Sequence, residues 1–406
     1  MNYEKIKQIK RKFYTVTALY NISISLFSAI IYLYMESIGH TLSEINLFIS
    51  VFWIVSFVSE IPSGIFSDSF GRRNTMVISC MIRGVGLFLL FLDDGNLIVL
   101  ILSSILAALG SALCSGTMTS WVFDEVKKWD ADYDFNKIFS YSSFFNGTIS
   151  LVVGYVGAQI LGKMNLGYPI VLSGISLVLT AVFTILLIEN DRTSENTIHL
   201  SNAFTEYKNT FMDSIRFAKE NRMYLLACIA FTSVAIITTA PFNQWQIYFK
   251  DDSLGIISGY IHIFLSLFAM AGAYFASRIK SKHSISFFLY SNVLICITLV
   301  LSVCIKNLWY SLVFFLLHVF LMTAEEVVMF TYLNSFLNDQ TRTTLLSFYY
   351  TLEALVTVFV MNFSSFISNF VGLGNTWIVL CGIGISVVIP IYIMLRKNQQ
   401  PSKNVL

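Results

Sequence analysis

The chain has 406 residues, 56% of them hydrophobic and only 12% charged, with a net charge of +2. Soluble domains carry roughly 25% charged residues, so a water-soluble globular protein is excluded and a chain that crosses a membrane many times is implied. The near-neutral balance offers no footing for a nucleic-acid partner.

Apolar runs close to the about 20 residues needed to cross a bilayer recur along the whole length. In chain order the predicted spans are 14–35, 43–66, 75–92, 97–121, 139–161, 168–188, 224–248, 255–276, 285–304, 308–331, 345–367 and 375–395, twelve in all. The first run follows a basic segment but continues without a small-residue cleavage site, so it reads as a retained helix rather than a signal peptide. Basic residues test the count. Outside lie only Lys163, Lys250 and Lys306, Arg83 falls within a span, and the rest of the 26 collect on the side shared by both termini. That asymmetry predicts a multi-pass protein of the cytoplasmic membrane with both termini cytoplasmic.

Between spans six and seven lies the longest polar stretch, 189–222. Within it Phe204, Tyr207, Phe211, Ile215 and Ala218 fall on one helical face, opposite Glu206, Lys208, Asp213, Arg216 and Lys219. The expectation is an amphipathic surface helix linking an N-terminal half (1–188) to a C-terminal half with a short tail (223–406). A weak internal repeat agrees. Shifting Gly64 by 208 residues lands on Gly272, and Gly272-Ala-Tyr-Phe-Ala276-Ser-Arg278-Ile-Lys280 echoes the segment from Gly64, with Ala276 in place of Asp68 and Ile279 in place of Gly71.

An ionisable group in hydrocarbon costs about 2.5–3.5 kcal/mol at a helix centre on insertion scales, so each one needs a reason. Glu60 lies about 12 Å before Asp68 at 1.5 Å per residue, and Arg83 about 15 Å beyond Arg73 on the return, depths that suit either a static Glu60–Arg83 pair or a Glu60 that takes up a proton. Glu353 lies inside span eleven with Tyr349 and Tyr350 one turn before it and no basic residue of its own helix at that depth. Glu325 and Glu326 occupy span ten; being about 100° apart, one is expected to face a cavity and the other an inner-loop cation such as Arg342. His318 is deep enough to line a cavity, although a buried histidine is more often simply hydrogen-bonded. Asn146, Asn243, Gln244, Trp245, Tyr349 and Tyr350 mix aromatic faces with hydrogen-bonding groups at mid-membrane depth, a lining suited to an amphiphilic aromatic compound.

The most specific segment is Gly64-Ile-Phe-Ser-Asp68-Ser-Phe-Gly71-Arg72-Arg73, a polar turn between spans two and three. Such a turn is tolerated only at the water boundary. Gly64 is expected to let two helix ends approach closely, Gly71 to take a positive φ, and Asp68 with Arg72 and Arg73 to form a charged lock. This segment resembles the loop 2–3 signature of the major facilitator superfamily, and Glu60-Ile-Pro62-Ser-Gly64 resembles its drug-exporter-like branches. Span four lacks the Arg and span five the Pro that exporters of that kind often carry.

The resemblance implies an all-α fold of twelve transmembrane helices in two pseudo-symmetric six-helix halves. It implies secondary transport of a small amphiphilic molecule by alternating access, with proton-driven export of a drug or metabolite as the first reading and nutrient uptake as the alternative. It further implies an inner gate in which Asp124, at the end of span four, engages Arg72. No cofactor is implied, and a monomer is expected. A membrane-embedded enzyme is disfavoured, because the five histidines are scattered, no His-Glu-x-x-His or phosphate-binding loop occurs, and no residue is a catalytic or metal-ligand candidate. The six cysteines lie in or beside spans, which argues against a disulfide framework.

Overall fold

The computed structural model describes residues 2–131, 133–189, 212, 215–251, 253–279, 283–335 and 342–398, with only the backbone of 2, 61, 136 and 342–347. Eleven of its helices are long and apolar enough to cross a membrane, and twelve if the bent first pair counts as one span. Each predicted span coincides with a helix.

The first span is broken: α1 (Asn2–Ser28) and α2 (Ile31–Ser37) meet at 48°. Next come α3 (Leu42–Phe70), α4 (Arg72–Leu92), α5 (Leu97–Cys114) and α6 (Thr117–Lys127). Predicted span four is thus two helices, parted at Gly116, whose φ of +71° takes it out of the helical region. Helix α7 (Asn136–Tyr155) continues as a π-helix (Val156–Gly162), and α8 (Gly167–Leu187) follows. The second set is α9 (Arg222–Tyr248), α10 (Ser258–Ala276), α11 (Ser284–Cys304), α12 (Leu308–Asn334), α13 (Arg342–Val371) and α14 (Leu373–Asn398).

Local chemistry sets several starts. Thr41 and Glu44 form a reciprocal capping box on α3, the Thr41 backbone N–H donating to the Glu44 carboxylate at 2.8 Å. Asn96, Asn221 and Asn307 each accept backbone N–H bonds at the first turns of α5, α9 and α12. Polar caps recur where spans begin because the first amides of a helix have no intrahelical partner. Of the predicted linker helix, residues 215–220 are helical and Ala218 is buried, while 190–211 lie outside the described residues.

Contacts divide the chain into two compact units, the first comprising Met1–Tyr207 with Lys250–Ile263, the second Lys208–Phe249 with Phe264–Leu406. In the first, α4 packs on α5 and α8, and α1 on α7 and α8. In the second, α11 packs on α12 and α14, and α9 on α13 and α14. These are the same four pairings in the same sequential order, so the weak sequence repeat corresponds to a repeated packing scheme.

Small and hydroxylated residues hold these pairings together, as expected where lipid removes the hydrophobic drive between helices. Ser79 donates to Gly110 O at 2.7 Å and Ser103 to Gly86 O at 2.8 Å, stitching α4 to α5. In the second unit, Ser311 donates to Ser302 O at 2.6 Å between α12 and α11.

Candidate functional site

The polar turn of the first unit is built around Gly71, whose φ of +83° reverses the chain between α3 and α4. The Arg72 guanidinium sits between two acids: Nη2 lies 2.8 Å from Asp68 Oδ1 and Nε 3.8 Å from Asp124 Oδ2. Its Nη1 also donates to Ser67 Oγ at 3.0 Å. Arg73 instead donates to Ile185 O at the end of α8, 3.3 Å away. One expectation fails. A Cβ on Gly64 would meet nothing within 4 Å among the described residues, so they show no close helix approach there.

Depth matching of Glu60 with Arg83 also fails. No ion pair joins them; Arg83 Nη1 donates to Tyr20 Oη on α1 at 2.6 Å, and the guanidinium lies 5.7 Å from the Tyr20 ring centre. Equal depth does not fix azimuth. Close contact of α4 with α5 at Gly110 helps set it, where an added Cβ would lie 2.6 Å from Arg83 Cβ. Glu60 is exposed on α3, and its backbone carbonyl accepts from Ser63 Oγ.

In the second unit the two adjacent acids of α12 part as their 100° offset requires. Glu325 is 1% exposed and neither carboxylate oxygen has a hydrogen-bond partner among the described residues; Asn292 of α11 is its polar neighbour. Glu326 is exposed, and its charge acts on Glu353 of α13. Tyr349, one turn before Glu353, presents its hydroxyl to the Glu353 carboxylate and stacks on Phe231 of α9 with ring centres 4.6 Å apart. Tyr350 is exposed beside Tyr349. The Arg342 side chain, expected as a partner of one of the acids, lies outside the described residues.

Several predicted cavity residues are structural. Gln244 is fully buried: its Nε2 donates to Ser364 Oγ at 3.0 Å, and its Oε1 accepts from Trp377 Nε1 at 3.0 Å, tying α9 to α13 and α14. Trp245 is buried, and Asn243 donates to Thr239 O in its own helix. His318 is buried with Nδ1 3.2 Å from Ile295 O of α11. None of these four is among the wall residues of the cavity described next.

Asn146 is. A cavity of about 590 Å³ in the first unit, between α1 and α7, is walled by Lys7, Lys10, Arg11, Tyr14, Phe145 and Asn146, among others. Asn21 donates to Asn146 O at 2.6 Å and fixes the two helices beyond it. The α1 contribution was not foreseen, although positions 7, 10, 11 and 14 follow the i, i+3, i+4, i+7 spacing of one helix face. A basic N-terminus preceding a span reads first as an orientation signal, and that reading hid the stripe.

A second unforeseen feature lies at the far end of the first unit. His40 Nε2 and Asp93 Oδ2 are 2.8 Å apart with both side chains fully buried, and Asp93 Oδ1 accepts from the Gly95 and Asn96 N–H groups. The pair joins the α2–α3 and α4–α5 connections.

A family model described as Major Facilitator Superfamily matches residues 13–361. A Bacillus subtilis (strain 168) protein described as the uncharacterized MFS-type transporter YxaM is 24% identical over 349 residues, covering 82% of this chain and 83% of that one. Among solved structures, the nucleoside transporter NupG aligns with a TM-score of 0.71 at 12% identity, over 96% of this chain and 100% of that one. A POT family transporter in complex with 5-aminolevulinic acid gives 0.74 at 13%, covering 96% of each chain. A bacterial homolog of the human lysosomal transporter Spinster, inward-facing and unoccupied, gives 0.69 at 11%, covering 97% of each chain. Identities this low speak for the fold alone, but every one of these relatives is named as a transporter and none as an enzyme. The family match, the repeated six-helix packing and the Arg72-centred turn agree: the chain belongs to the Major Facilitator Superfamily and is a secondary transporter.

Proposed function

We propose that this transporter exports a small amphiphilic molecule from the cytoplasm by alternating access of its two six-helix halves, driven by proton entry. The observation that supports this reading is the Glu353 carboxylate inside span eleven, hydrogen-bonded by the Tyr349 hydroxyl and within electrostatic reach of Glu326. No described cation forms an ion pair with either acid. Two carboxylates near enough to feel each other's charge resist simultaneous ionisation. A proton held at the pair relieves that repulsion, and its release needs water. If water reaches the pair from one side of the membrane at a time, proton release is tied to the conformational cycle. The Asp68–Arg72–Asp124 contacts belong to one conformational state and act as its latch, while Glu60 is a second site for proton entry. The protein works in the cytoplasmic membrane, with both termini on the cytoplasmic side.

The test uses exporter-deficient cells loaded with two fluorescent amphiphiles, cationic ethidium and anionic carboxyfluorescein (entering as its diester), with and without a protonophore. Expression should lower retention of at least one dye, the protonophore should restore it, and Glu353→Gln should match the empty vector. Higher retention on expression would mean uptake. Export that Glu353→Gln and Glu326→Gln both leave intact would remove the carboxylate pair from the coupling.

A further inference from the structure

We infer that the α1–α7 cavity of the first unit binds an organic anion, so that the transported amphiphile carries a carboxylate, sulfonate or phosphate at one end of an aromatic or apolar body. This rests on the transport reading and deepens it by naming the substrate class. The cavity volume of about 590 Å³ falls within the roughly 300–1,000 Å³ of small-molecule sites. Three of its wall residues, Lys7, Lys10 and Arg11, are cationic, and none of its wall residues is acidic. Among the described residues none of the three is ion-paired, whereas the neighbouring Lys12 contacts Glu189 at 3.6 Å. The cations are thus gathered on the cavity side of α1, and no described acid neutralises them.

The remaining wall fits the other end of such a molecule. Tyr14 and Phe145 offer ring faces, and Ala18 and Leu19 an apolar floor, with Phe145 57% exposed. Ser142 and Asn146 add hydrogen-bonding groups on the α7 side. An anionic head can draw charge-assisted hydrogen bonds from the Lys and Arg side chains, while the rings stack on its body. A cationic amphiphile would meet like charge at the same place.

An anionic lipid headgroup offers the same chemistry as a soluble organic anion, and the proposal commits to the soluble one. The experiment measures binding without transport, so it stands whether or not export is proton-driven. Full-length protein in phosphatidylcholine nanodiscs is titrated into carboxyfluorescein and, separately, rhodamine 6G, with fluorescence anisotropy as the readout. Preference for the anionic dye is expected. Lys10→Gln/Arg11→Gln should weaken binding by about tenfold or more, as the loss of two charge-assisted contacts implies. Lys12→Gln, which removes a charge outside the cavity, should stay within about twofold, as expected of a partly exposed ion pair, and Lys10→Arg/Arg11→Lys should retain binding.

Equal affinity for both dyes, or equal losses in the Lys12 and cavity variants, would overturn the site. Abolition of dye binding by adding phosphatidylglycerol to the discs would assign it to a lipid headgroup and overturn the proposal in its stated form. If the anion binds as expected but cells show no export, the transport reading fails and the binding site stands.

Discussion

The repeated turn is held in two different ways in the two units. In the first, Arg72 bridges Asp68 and Asp124, and Gly64 leaves open space around its missing side chain. In the second, Ala276 occupies the position of Asp68 and is buried against Ala324 and Val328. Arg278 there turns to its own helix, donating to Tyr274 Oη at 2.7 Å. Gly272, which repeats Gly64, is the glycine in close contact: a Cβ there would run into the carbonyl of Phe320. Among the described residues one copy is therefore fastened by charge and the other by shape; Lys280, at the position of Arg72, lies outside them. Ion pairs among partly exposed groups exchange readily with water and are weak, whereas close-packed surfaces have few intermediate arrangements. The first unit's turn is the one suited to opening and closing, and the second unit's turn is suited to staying put.

That contrast can be broken most severely by forcing charge into the second copy. Ala276→Asp should not recreate the latch; it buries a carboxylate among apolar side chains, with an expected cost of about 3–5 kcal/mol if it stays unpaired. A thermal unfolding scan with a thiol-reactive fluorophore reads this, since four of the six free cysteines are buried. An unfolding midpoint near that of the parent protein would mean that the site can hydrate, and the shape-based account of the second turn would be wrong.

Next in size, Gly272→Ala should cost about 1–3 kcal/mol through overpacking. Gly64→Ala should be neutral or stabilising by up to about 1 kcal/mol, as expected for replacing a helical glycine in open space. The same scan compares them, and equal effects would erase the distinction between the two copies.

Smaller again in stability is Arg72→Gln, which loses two partly exposed ion pairs worth about 0.2–1 kcal/mol each. Under the proposed latch role its larger effect should fall on transport rate, because losing a contact that favours one conformation shifts the balance of states. Arg278→Gln should change stability and rate least. High salt should reproduce part of the Arg72→Gln phenotype in the parent protein and add little in the variant. Salt effects of equal size in both would indicate that Arg72 is not the screened group.

The fold was legible because it rests on one-dimensional signals: run length, the side on which lysines and arginines fall, and the spacing of Gly71 from its flanking charges. The break at Ala29–Ile30 and the split at Gly116 were not, because the first run stays apolar across the interruption and the second crosses small, uncharged Ser115, Gly116 and Thr117 with no charge to mark it. In the site, Asp68 and Arg72 came together as expected since a tight turn leaves them little freedom, and Asp124 reaches Arg72 from α6. Glu60 and Arg83 did not, because depth along a helix says nothing about direction around it. Gln244 illustrates the same gap from the other side: an amide at mid-membrane depth reads equally as a ligand group or as a structural tie, and only Ser364 and Trp377, 120 and 133 residues away, decide between them. Lys7, Lys10, Arg11 and Tyr14 carried a readable helical spacing, but their meaning depends on α7 opposite.

The interruption at Gly116 makes α6 a lever. Asp124 lies eight residues beyond that hinge, about 12 Å at the helical rise. A swing of roughly 10° about Ser115–Gly116 would carry the Asp124 backbone through about 2 Å, enough to open its 3.8 Å contact with Arg72. The Asp68 contact, made within the turn itself, would be untouched. A small rotation at two residues is thereby sufficient to release one arm of the clasp while the other keeps the arginine in place to be caught again.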